Sequence, residues 1–243
     1  MPQSTQIQVS RRSYPLVLFV LLVLITIVLG ISPHDRADWL LENALMLGGV
    51  AILVATSRSF PLSKVSYTLI FAFLCLHSVG AHYTYALVPY HDWLEALGAA
   101  PAAEGRNHYD RFVHLCYGLL LAYPVREVFV RVADAKGFWG YYLPLDVVMA
   151  TSMLYELIEW GAAEFFGGDL GVAYLGSQGD PWDAQKDMAL AALGAIVAVL
   201  VTAAINWHFQ QDFARAWAES LRVKHREPLG EISLARNLEA RER

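Results

Sequence analysis

The sequence predicts an all-α polytopic membrane protein, a helical bundle of about six transmembrane helices with a polar tail. Three observations carry that expectation. The 243 residues are 56% hydrophobic and only 17% charged, against about 25% charged in a soluble domain. The apolar residues gather in long runs instead of recurring at core periodicity. Several runs reach the ~18 residues or more that cross a ~30 Å hydrocarbon layer as a helix.

In chain order the spans fall at 15–32, 39–57, 66–88, 111–130, 140–163 and 187–206. The first carries no charge from Pro15 to Ile31, whereas the fifth holds Asp146, Glu156 and Glu159. Residues 1–206 then form one transmembrane domain, and 207–243 a cytoplasmic tail. Ser10-Arg11-Arg12-Ser13-Tyr14 superficially resembles a twin-arginine signal. The apolar run behind it exceeds a signal h-region and lacks a small-x-small cleavage site, so a retained helix is expected.

Orientation follows from basic residues, which concentrate on the cytoplasmic side. With the N-terminus inside, 14 of the 18 Arg and Lys face the cytoplasm, leaving Arg36, Arg106, Arg111 and Lys186 outside. The even span count puts the C-terminus inside as well. In the tail, Trp207, Phe209, Phe213 and Trp217 recur at near-helical spacing, which suits either an interfacial helix or a solvated one. A net charge of −5 without a basic stripe argues against nucleic acid. Cys75 and Cys116 both lie inside apolar runs and read as small core residues.

The ionisable residues are not scattered. Glu42 and Asn43 open the second span on the outer side. His77 and His82 lie where the third span approaches that side, and Asp110, Arg111 and His114 where the fourth leaves it. Glu156 and Glu159 fall at the outer end of the fifth, and Asp180, Asp183 and Asp187 at the start of the sixth. Asp110/His114 and Asp183/Asp187 are four apart and Glu156/Glu159 three apart, so each pair shares a helix face. At 1.5 Å per residue, Glu156 and His77 sit on the order of 10–15 Å below the surface. A carboxylate at that depth is costly by several kcal/mol unless it meets a cation, a donor or water. His77, His82, His114, Arg111 or a metal ion could each serve. The bland readings are a helix cap for Asp180, a first-turn acid for Asp110 and a hydrogen-bonded core histidine for His114. Arg126 and Asp146, toward the inner side, suit a structural pair, and His34 and His91 fall in outer loops.

At these residues the chain resembles the YjdF-like family of bacterial inner-membrane proteins. The likeness rests on HSVGAHYTYALVP at 77–89, YDRFVHLCYG at 109–118, YELIEW at 155–160 and GDPWDAQKDM at 179–188. It covers positions 15 to 206. It implies a multi-pass inner-membrane location and brings no established activity. A looser likeness to VanZ-type membrane proteins, in the acidic segment opening a late span, carries no function.

Three functional classes fit the residues. The first is a metal-dependent enzyme acting on a lipid or lipid-linked substrate at the outer face. Its candidate ligands are His77, His114, Glu156, Asp183 and Asp187, with Glu159 and Asp110 handling protons. Mixed oxygen and nitrogen donors suit zinc, manganese or iron, and carboxylates alone suit magnesium. The second is a proton- or ion-coupled transporter, since intramembrane acids and histidines mark such paths. The inner halves of the spans are poor in ionisable groups, and no inverted repeat is visible. The third is an accessory protein whose polar network holds helices together.

Overall fold

The computed structural model describes residues 3–99, 105–168, 171, 175, 177–209, 213–224, 230 and 237–240. Six long helices run in order: α1 (Gln3–Gly30), α2 (Arg36–Thr56), α3 (Lys64–His82), α5 (Tyr109–Val132), α6 (Trp139–Phe166) and α7 (Asp183–Phe209). A short α4 (Tyr90–Ala96) lies between α3 and α5, and α8 (Phe213–Ser220) follows α7. No strand occurs among the described residues.

Five of the long helices are long and apolar enough to cross a membrane by length and composition: α1 from Ser13, α2, α3, α5 and α7. The other, α6, is the expected fifth span; it is 28 residues long and carries Asp146, Glu156, Glu159 and Glu164. It packs on both α5 and α7, which also pack on each other, so these three helices form the centre of the bundle. Next, α3 lies against α5, and α1 and α2 each lie against α3. Large apolar side chains of α1 and α2, such as Val28, Leu40 and Ile52, point outward, as lipid-facing positions require.

The α5–α7 contact is the closest in the molecule, and its cause is legible in residue size. Gly118 of α5 faces the backbone of Ala191 and Ala195, and Gly194 of α7 faces Leu115, so that a Cβ on either glycine would collide with a carbonyl. Ala191 and Ala195 are fully buried there. Small residues let two backbones approach where no hydrophobic effect drives helices together. Positions 110, 114, 118 and 122 of α5 and 183, 187, 191 and 195 of α7 repeat every four residues. Each set therefore occupies one helix face, and the tight seam continues directly into the ionisable residues.

Two sequence expectations change. The third span ends at His82 rather than running on to residue 88, because Thr84 (φ 53°) and Tyr85 (φ 51°) take left-handed backbone conformations that turn the chain. The turn folds the Tyr85 ring onto Gly80, where a Cβ would collide with it. Arg126 stacks over the Tyr141 ring, 4.8 Å from its centroid, and among the described residues no ion pair joins it to Asp146. Both cysteines are free, with Cys116 buried.

The tail helix α8 packs on the start of α6 through its aromatic side chains. Trp217 meets the Phe138 and Tyr141 rings at 5.6 and 5.9 Å, and Phe213 meets Tyr141 at 6.0 Å. The Phe138 N–H donates to Ser220 Oγ at 2.9 Å, and Trp139 Nε1 donates to the Ser220 carbonyl at 2.9 Å. The helix is thereby anchored to the start of α6, at the end of the bundle remote from the acids.

Candidate functional site

The site is assembled at the end of the bundle where α2, α5 and α7 begin and α3 and α6 finish. Asp35 caps α2, accepting from the N–H groups of Ala37 and Asp38. Before α7, Asp180 Oδ1 accepts from the Trp182 N–H at 3.0 Å, as the sequence suggested for a helix-starting acid. Its other oxygen meets Arg111 and Lys186, each at 2.5 Å. The Lys186 ammonium, with the Trp182 N–H and the Arg111 guanidinium, holds the Asp180 carboxyl well below the usual carboxylate range.

Asp183 stands one turn further along and is held by two guanidinium groups, Arg106 at 2.5 Å and Arg111 at 3.2 Å. Arg106 also donates to the Ser177 carbonyl. Asp183 thus acts as the junction between α7, α5 and the segment before α5. Its two arginine partners leave it the least suited of the expected ligands to bind a metal.

Deeper, the cationic partners run out. Asp110, His114 and Asp187 bring one donor atom each to within 4.8 Å of one another. His114 Nε2 lies 3.6 Å from Asp110 Oδ1 and 3.5 Å from Glu156 Oε1. Both separations exceed a direct hydrogen bond, so the imidazole faces two carboxyl groups across a gap. Asp187 is 2% exposed and Glu156 8%. Asp187 Oδ1 and Glu156 Oε1 are buried with no hydrogen-bond partner among the described residues. Glu159 lies within reach of Glu156 and Tyr155. Three carboxyl groups, of Asp110, Glu156 and Asp187, therefore face a single imidazole, with Glu159 beside Glu156, while the nearby arginines and lysine are engaged by Asp180 and Asp183. Unpaired buried charge of this kind is strongly unfavourable, and a proton or a cation would relieve it.

His77 sits apart from that centre. Its Nδ1 pairs with the Tyr85 hydroxyl at 2.6 Å and its Nε2 with the Glu42 carbonyl at 3.2 Å, so both ring nitrogens already have partners. Of the expected residues, the structure thus gathers Asp110, His114, Glu156, Glu159 and Asp187, ties Asp183 to arginines, and places His77 beside Tyr85. Its His82 neighbour bonds to the Leu29 carbonyl instead.

Sequence reasoning passed over several contributors. Tyr155 donates to Glu42 Oε2 at 3.0 Å, linking α6 to α2. Asp38 is 1% exposed, and neither carboxyl oxygen has a hydrogen-bond partner among the described residues. Asp38 and Glu42 are four apart, and that spacing was the available signal. Arg106 gave none, because nothing local ties a loop arginine to an acid 77 positions away.

Below the acids lies an elongated cavity of ≈ 580 Å³. Asp110, His114, His77, Tyr85 and Tyr155 line one end of it, and apolar side chains such as Leu45, Phe73, Leu121 and Val125 line most of the rest. The volume falls within the ~300–1,000 Å³ of ordinary ligand pockets.

Residues 14–208 match the family described as predicted membrane protein DUF2238. The inner membrane protein YjdF of Escherichia coli (strain K12) is 41% identical over 192 residues, covering 78% of this chain and 88% of that protein. The chain belongs to this family. It is accordingly a multi-pass bacterial inner-membrane protein, as its motifs implied. The family match takes in α1 from residue 14 and the later long helices up to residue 208, and stops short of α8. No solved structure matches.

Proposed function

We propose that this protein is a metal-dependent membrane enzyme in which Asp110, His114 and Asp187 hold a divalent cation against a lipid or lipid-linked substrate. The observation that supports this reading is the surplus of buried carboxyl groups around His114, with Asp187 Oδ1 and Glu156 Oε1 left without hydrogen-bond partners among the described residues, at the head of an apolar cavity. Two carboxylates and one imidazole form a donor set suited to zinc, manganese or iron. A cation with three protein ligands keeps an open position, where it supplies Lewis acidity to an ester or phosphoryl oxygen or lowers the pKa of a bound water. Glu156, 3.5 Å from His114, and Glu159 beside it would take and return a proton in this reading. The basic-residue bias puts this end of the bundle at the outer face, with both termini in the cytoplasm.

The test is elemental analysis of the full chain purified in detergent. The parent should carry stoichiometric metal. Asp187→Asn and His114→Ala should bind it about 100-fold more weakly or worse, since even an outer-shell partner is worth 10–100-fold. A parent with no stoichiometric metal after loading with zinc, manganese or iron ends this reading.

A further inference from the structure

We infer that the cavity between α2, α3, α5 and α6 is a seat for one hydrocarbon chain of a membrane lipid, which enters sideways past α2 with its polar head at Asp110 and His114. This deepens the enzyme reading: the head position rests on it, whereas the chain seat rests on the cavity itself.

Three observations lead here. The lining is divided, with the ionisable and hydroxyl groups His77, Tyr85, Asp110, His114 and Tyr155 near the acidic end. An amphiphile has that same division. The cavity follows α5 from Asp110 to Val125, 15 residues or about 22 Å of helix rise, which suits an extended chain. Its wall is also open to the bilayer: Leu45 and Ile52 of α2 line it while remaining 46% and 66% exposed. In a membrane, that exposure is to lipid. Gly49 lines the cavity too, and a Cβ added there meets nothing within 4 Å, so the space beside it is unfilled by protein.

Gly49 makes the test clean. The full-length protein is delipidated in detergent, supplied with phosphatidylglycerol, and its bound lipid counted by native mass spectrometry. The parent should retain one molecule after loosely held lipid is stripped. Gly49→Leu should lower that retention about tenfold, equivalent to 1.4 kcal/mol. Leu121→Trp, which narrows the same space from α5, should do likewise. Gly48→Leu, next to the cavity but not lining it, should retain lipid like the parent. Thermal unfolding of both filling variants in detergent should match the parent and report intact folding. Asp187→Asn should lose metal and keep the lipid, which separates this seat from the cation reading. Undiminished lipid in Gly49→Leu and Leu121→Trp, or a parent that retains detergent but no phosphatidylglycerol, would overturn the inference.

Discussion

The α5–α7 seam and helix α2 use the same residue types to opposite ends. Both α7 and α2 bury two acids one turn apart near the same end of the bundle, Asp183 with Asp187 and Asp38 with Glu42. On α7 the first acid is locked by Arg106 and Arg111; on α2 Asp38 meets no hydrogen-bond partner among the described residues. The glycines differ in the same sense. Gly118 and Gly194 exist because another backbone passes where a side chain would be, whereas Gly48 and Gly49 border open space. A glycine in an apolar helix therefore marks either the closest contact or a deliberate gap, and only the partner helix tells which. The difference sets a closely packed seam that positions ionisable groups against a helix that borders a cavity.

The most severe way to break that contrast is Gly118→Leu. It should destabilise the protein by about 3 kcal/mol or more, with low yield of folded material and loss of bound metal. The matching change on α2, Gly48→Leu, should stay within ~0.5 kcal/mol by thermal unfolding in detergent. Equal effects would erase the distinction between the two helices.

A smaller effect should follow Tyr155→Phe, which removes the hydroxyl that reaches Glu42 and ties α2 to α6. A loss of about 1 kcal/mol is expected, visible as faster hydrogen exchange in the first half of α2 and unchanged exchange in α7. Acceleration in α7 instead would show that the seam and α2 are not separable.

The smallest effect is pH-dependent and belongs to the seam. Lys186, the Trp182 N–H and Arg111 depress the Asp180 carboxyl, so its folded value lies below the ~3.9 of an unfolded chain. Its contribution is then fully present above that value and is lost as pH falls through the folded one. Thermal stability of the parent should decline as pH drops below about 4, and Asp180→Asn should show a shallower decline. An identical slope in both would remove Asp180 from the clamp.

Much of this was legible in the chain. Long apolar runs gave five helices able to cross a membrane and the long helix α6, whose four acids set it apart from those five, and four-residue spacings placed Asp110 with His114 and Asp183 with Asp187 on common faces. The convergence of five distant segments followed from the cost of burying charge in hydrocarbon. What escaped was whatever depends on the identity of a neighbour. Asp183 reads as a free acid until Arg106 arrives from a distant loop. The spacing of Phe213 and Trp217 marked a helix with an aromatic face, but not that Phe138 and Tyr141 would supply rings for it to pack on. The turn at Thr84 and Tyr85 carries no glycine to announce it, so the third span looked longer than it is.

The four-residue beat shared by α5 and α7 has a consequence for how such a chain can vary. Asp187 and Ala191 must keep the same azimuth on α7, because one of them looks at His114 while the other lies beneath Gly118. One residue inserted between them would rotate the acid by about 100° relative to the seam, swinging it away from the imidazole. Substitutions within that stretch are therefore tolerable where changes in its length are not.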